Sequence, residues 1–188
     1  MSWALPLILL VVILIVMLGF FVNILGPWLF MSQPATIIQN AIENGDSSLC
    51  NTIHIQEAKD VCYWEVAKVK KDSTICEHIS EKDTKDYCTA LIRGDTFLCT
   101  KISNKDRMYF CKARIEGNVS ICNEISDRIK EMKCRAIIEG NASLCDQIES
   151  PIDRDYCYKY VAEVKKDTEL CNKIQKEFLK NMCYVTVG

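Results

Sequence analysis

No Asp, Glu, Lys, Arg, His, Cys or Tyr occurs in the first 42 residues of this chain, and the first ionisable side chain is Glu43. A water-facing domain carries charge on about a quarter of its residues, so this stretch is not an ordinary soluble surface. Lys and Arg are also missing from both of its flanks, which leaves the positive-inside rule with nothing to orient. The whole chain lacks a basic excess: 23 Lys and Arg stand against 25 Asp and Glu, with a net charge of −2. That balance gives no electrostatic footprint for nucleic acid, and no nucleic-acid partner is expected.

Histidine is scarce, with only His54 and His78, and the spacing C-x2-C is absent. Zinc and iron–sulfur sites favour such clustered ligands, and dithiol catalysts favour the same motif near a helix start. No Ser-His-acid arrangement and no phosphate-cradling glycine loop is present. Neither a metal, a cofactor nor a catalytic residue is therefore expected.

What the head does contain is apolar. Between Trp3 and Met31 the only polar side chain besides the tryptophan indoles is Asn23. A helix from about residue 4 to residue 26 would be roughly 34 Å long at about 1.5 Å per residue, enough for a hydrocarbon core of about 30 Å. Trp3 and Trp28 fall where indoles favour the interface, and Gly26-Pro27 supplies a stop. A cleaved secretory signal would want a basic start, a shorter apolar run and a small-residue cleavage site. The expectation is a retained transmembrane anchor over 1–31, in contact with membrane lipid. Gly19, Asn23 and Gly26 share one helix face, which could serve as an assembly stripe.

The body is one unit written six times. The cysteines form six pairs, always 12 apart: Cys50 with Cys62, Cys76 with Cys88, Cys99 with Cys111, Cys122 with Cys134, Cys145 with Cys157, and Cys171 with Cys183. From one pair to the next the separations are 14, 11, 11, 11 and 14, so the unit is 23 residues with two insertions of three. Such a period indicates a stacked array. Three residues after each first cysteine stands isoleucine (Ile53, Ile79, Ile102, Ile125, Ile148, Ile174), and four after each second cysteine stands valine or isoleucine.

Spacings of three and four predict two helices per unit. Asp46, Asp72, Asp95, Asn118, Asn141 and Asp167, each four before a first cysteine, are expected N-caps. Ser80-x-x-Asp83 and Ser103-x-x-Asp106 read as capping boxes, and Ser150-Pro151 as a cap with proline at the first helical position. Gly94, Gly117 and Gly140 predict left-handed C-caps, whereas VAKVKKD and VAEVKKD, ending at Asp72 and Asp167, predict longer helices. Ile38 and Ile42, four apart, predict that 32–45 is a linker with a capping helix.

Both insertions fall between pairs and never within one, which predicts six bridges, each closing its own unit. Each closes a loop of about 13 residues and contributes roughly 3 kcal/mol in the chain-entropy model. So many regular thiols point to an oxidising compartment.

Asn118-Val119-Ser120 and Asn141-Ala142-Ser143 match the N-glycosylation pattern, and the same asparagines fill the cap slot. The aromatics flanking the second cysteines, among them Trp64, Tyr87, Phe110, Tyr156 and Tyr160, are expected to pack between repeats; a partner-binding strip is the alternative.

The repeat resembles cysteine-stapled α-helical solenoids related to tetratricopeptide arrays. It is closer still to cysteine-repeat surface proteins of archaea, whose units read LC-x-x-I followed by RD-x-CY. Leu144-Cys145 to Ile148 and Arg154-Asp155-Tyr156-Cys157-Tyr158 carry that likeness, which covers 46–188. The expected architecture is all-α: a single transmembrane helix over the apolar head, followed by a stapled solenoid of six hairpins over 46–188. The expected function is a rigid extracytoplasmic rod that binds a protein partner or self-assembles. A cell-surface filament or surface layer, with the apolar helix in its core, is the alternative.

Overall fold

The computed structural model describes residues 15, 17 and 34–188. The chain divides into two compact units, Met1–Thr36 and Ile37–Gly188. In the first, Ile15 and Met17 are helical and mostly exposed. Among the described residues no helix is long and apolar enough to cross a membrane. Apart from Ile15 and Met17, the expected span over 4–26 lies outside those residues, as does its Gly19, Asn23 and Gly26 face.

The second unit is all-α. Helix α1 (34–44) buries Ile38, Ala41 and Ile42 against the first repeat. Then come the long helices α2 (Gln56–Lys70) and α3 (Lys82–Arg93), the short α4 (Thr96–Cys99), and α5 (Lys105–Glu116), α6 (Arg128–Glu139), α7 (Pro151–Lys165) and α8 (Glu177–Val187).

Six disulfides join each short first turn to its own long helix. They are Cys50–Cys62 on α2, Cys76–Cys88 on α3 and Cys99–Cys111 on α5, then Cys122–Cys134 on α6, Cys145–Cys157 on α7 and Cys171–Cys183 on α8. Their Cα–Cα distances are 5.6–5.8 Å. All twelve cysteines are fully buried. They form the centre of each unit, as a 23-residue hairpin with few apolar side chains requires.

The first element of each unit differs from the expected α-helix. Apart from the four-residue α4 it is a 3-10 turn, as at Ser47–Thr52 and Val119–Glu124. An Asx cap at one end and an extended isoleucine at the other leave too few residues to nucleate an α-helix, and i→i+3 bonds close sooner. Each isoleucine N–H donates to the carbonyl of the cysteine three before it, at 3.0–3.2 Å. Ile53, Ile79, Ile125, Ile148 and Ile174 sit at φ −73 to −83° and ψ 117 to 128°. The recurrent isoleucine is thus a stop: a β-branched residue that favours extended backbone and is buried there.

Asp46, Asp95, Asn118, Asn141 and Asp167 cap these turns as expected. Asp72 also accepts from Thr74 N–H, although Thr74 holds the cap position itself. The long helices are corrected by one residue in two places: Glu81 and Asn104 are the caps, not Ser80 and Ser103. The reason lies in the preceding repeat. Asp60 accepts the N–H groups of Ser80 and Glu81 at 3.0 and 3.2 Å, and Asp83 those of Ser103 and Asn104 at 2.9 Å each. Asp106 does the same for Ser126 and Asp127, and Asp155 for Gln175 and Lys176.

The donors always lie 20 and 21 residues after the aspartate. In α2 and α7, which are 15 residues long, the aspartate stands two before the second cysteine; in the 12-residue α3 and α5 it stands five before. Insertion and aspartate move together by three, so the clamp on the next repeat keeps its reach. The junction from the fourth unit to the fifth lacks this clamp: Ile129 holds the position, and Lys133 pairs with Asp153 at 2.6 Å.

The 12-residue helices α3, α5 and α6 end on left-handed glycines at φ 64–66° (Gly94, Gly117, Gly140), and the longer α2 and α7 on Lys71 and Lys166 at φ 54° and 53°. Without a Cβ, glycine takes this conformation freely; a lysine there costs about 1 kcal/mol or more.

The repeats do not run straight, a curvature on which the repeat pattern is silent. The array curls until α7 of the fifth unit meets α2 of the first: Lys159 Nζ lies 3.1 Å from Glu65, and Lys68 Nζ 3.0 Å from Glu163. The contact falls at the two insertion segments, V-A-K-V-K-K-D and V-A-E-V-K-K-D, which differ only in Lys68 against Glu163.

Candidate functional site

The curl encloses an open axial cavity of about 810 Å³, lined by side chains of α2, α3, α5, α6 and α7, with Met182 from α8. Its wall is aromatic. Trp64 stacks on Tyr87 at 5.2 Å between centroids, Tyr87 tilts against Phe110 at 6.1 Å, and Tyr156 stacks with Tyr160 at 6.3 Å. The first two contacts run from one repeat to the next, so the rings pack between units and also face a cavity. Trp64 is only 6% exposed, and its Nε1–H has no hydrogen-bond acceptor among the described residues.

The floor is a buried charge network. Lys159, with no exposed side-chain surface, reaches Glu65 at 3.1 Å and Glu163 at 2.5 Å. Lys68 completes the square, 2.8 Å from Glu65 and 3.0 Å from Glu163. Lys68, Lys159 and Arg114 also surround the Tyr160 ring at 5.0–5.6 Å. Burial would push the Glu163 carboxyl up, but Lys68 and Lys159 outweigh it and hold it at about 2. Burial likewise disfavours the Lys159 ammonium, and the facing carboxylates more than reverse that, so it stays protonated. Burial pushes the Tyr160 and Tyr87 phenols up, which keeps both neutral.

The mouth lies where the first turns of the long helices converge. Seven carboxylates and three cations line the cavity. Arg107 pairs with Glu81 at 2.7 Å and Lys133 with Asp153 at 2.6 Å. Asp60 and Asp83 serve as the inter-repeat clamps. Burial raises Asp60, but hydrogen bonds from Ser80, Gln56 and Glu81 outweigh it; bonds from the Ser103 and Asn104 N–H groups hold Asp83 below the usual carboxylate range. Both remain charged at neutral pH.

The cysteines are brought together in the expected pairs, and they stand apart from this site. Neither the first cysteines (Cys50, Cys76, Cys99, Cys122, Cys145 and Cys171) nor the second (Cys62, Cys88, Cys111, Cys134, Cys157 and Cys183) line the cavity. All twelve are spent in bridges that carry no exposed surface, so they shape the site without touching what enters it. Asn118 and Asn141 sit exposed at their caps, accepting from Ser120 N–H at 3.0 Å and Ser143 N–H at 3.2 Å. The floor network goes unread in the sequence, although a signal is there: a single charge reversal between two otherwise identical inserts. Among the described residues no group of His, Cys, Asp and Glu has the arrangement of a metal site.

No family model, no curated protein and no solved structure matches the chain.

Proposed function

We propose that this protein is an extracytoplasmic protein-interaction module, held at the membrane by its uncharged head and presenting a disulfide-stapled helical body to partners. The observation that carries this reading is the axial cavity: an aromatic-walled, acid-rimmed opening within a body whose six units are each covalently closed. Stapled bodies of this kind suit oxidising surroundings, and solenoids offer extended surfaces better suited to binding than to catalysis. The carboxylates at the mouth support docking over chemistry, because Asp60, Asp83 and Asp106 are already engaged in holding the next repeat. Exposed Ile15 and Met17 in the head fit a lipid-covered helix. Affinity purification of the native protein from neutral-detergent extract tests the reading: a stoichiometric protein partner is expected, and a protein that is always alone and monomeric refutes it. Protease added outside intact cells should cleave the body.

A second reading, a subunit of a cell-surface filament or surface layer, also draws on exposed Ile15 and Met17, since a polymer core would cover them equally well. Electron microscopy of sheared surface material separates the two: a tethered module stays with the membranes.

A further inference from the structure

We propose that the axial cavity receives a polypeptide segment of a partner in which an apolar side chain is flanked by lysine or arginine. This rests on the interaction-module reading and names its binding site. The argument is one of complementarity. Among the cavity's carboxylates, Glu57, Asp60 and Asp83 have no cation within ion-pair distance among the described residues, whereas Glu81 and Asp153 do. All three lie on the α2–α3 side of the mouth, in the first turns of their helices or one turn later. That side also carries the Trp64–Tyr87–Phe110 stack deeper in the wall.

A uniformly basic ligand would leave the aromatic wall without an apolar partner, and a uniformly apolar one would desolvate Glu57 without compensation and leave the charge of Asp60 and Asp83, which accept only N–H and O–H groups, without a cation. A segment with an apolar centre and basic neighbours satisfies both layers. The chain's own head does not qualify, since residues 1–42 bear no charge with which to meet the rim.

Fluorescence anisotropy with the full-length, oxidised protein in a neutral detergent tests this. The probes are three labelled, capped heptapeptides: Gly-Lys-Arg-Phe-Arg-Lys-Gly, its acidic counterpart Gly-Glu-Asp-Phe-Asp-Glu-Gly, and the ring-less Gly-Lys-Arg-Gly-Arg-Lys-Gly. The first should bind at least tenfold more tightly than either other and weaken as salt rises. Glu57→Lys should lower its affinity by about fivefold, the scale of one rim charge reversed. Glu57 is exposed and caps nothing, so unchanged circular dichroism will show that the fold is kept. Equal binding of all three peptides, no binding of the first, or indifference to Glu57→Lys overturns the proposal. Self-association that excludes the first peptide assigns the cavity to a second copy and overturns it too. If a native partner co-purifies as strongly with Glu57→Lys as with the parent, the cavity assignment fails while the interaction-module reading stands.

Discussion

Lys159→Met should open the curled body. Lys159 is completely buried, bonded to Glu65 and Glu163, and packed on the Tyr160 ring. Methionine keeps most of the volume but removes the charge, leaving two buried carboxylates to share the single ammonium of Lys68. Removing one partner of a buried ion pair costs about 3–5 kcal/mol, a large part of it the stranded charge. Because each unit is stapled, that loss should appear as local opening rather than global unfolding. Native-state hydrogen exchange read by mass spectrometry is the suitable assay. Protection should fall in α2 and α7, while the disulfide-closed interiors of α3 and α5 keep theirs. Adding Glu65→Leu to Lys159→Met removes the stranded carboxylate, leaves Lys68 and Glu163 paired at 3.0 Å, and should recover most of the loss. A cost below about 1 kcal/mol in Lys159→Met, or exchange rising evenly along the array, would refute the closure argument.

Three more outcomes are expected. Glu163 is held at about 2 against an ordinary 4.5, so its contribution is fully present above the unfolded value and is lost as pH falls from about 4.5 through about 2; an acid titration of small-angle scattering should therefore show expansion in that window and none between pH 5 and 8. Asp155→Ala removes the acceptor for the Gln175 and Lys176 N–H groups and should destabilise the last repeat by about 3 kcal/mol, seen as accelerated exchange at those two amides. Lys71→Gly relieves a left-handed non-glycine and should raise stability by about 0.5–1 kcal/mol in thermal melts, with no change in the disulfide pattern.

The residues differ in how far they can be read in one dimension. Cysteine pairing, from Cys50–Cys62 to Cys171–Cys183, is legible because a covalent bridge tolerates no change in the x11 spacing, so the insertions betray which segments are closed. Left-handed Gly94, Gly117 and Gly140 are legible for the same local reason: a backbone need met by one residue type. The isoleucine three after each first cysteine is legible as a repeat but not as a role, since a spacing of three fits a helix face and an extended stop equally well. Ser80 and Ser103 defeat local reading because their N–H groups are satisfied by aspartates 20 residues upstream, a distance at which no capping pattern looks.

The six hairpins, their staples, most of their turn caps and the longer helices at the two inserts were therefore determined by the order of residues alone. Curvature was decided only in three dimensions. It is the sum of what happens at five junctions, each set by side-chain packing and four of them also by where an aspartate grips the next repeat, and no local propensity encodes that sum. Hence the meeting of Glu65 and Lys159, 94 residues apart, and the cavity it closes could be known only once the chain had folded back on itself.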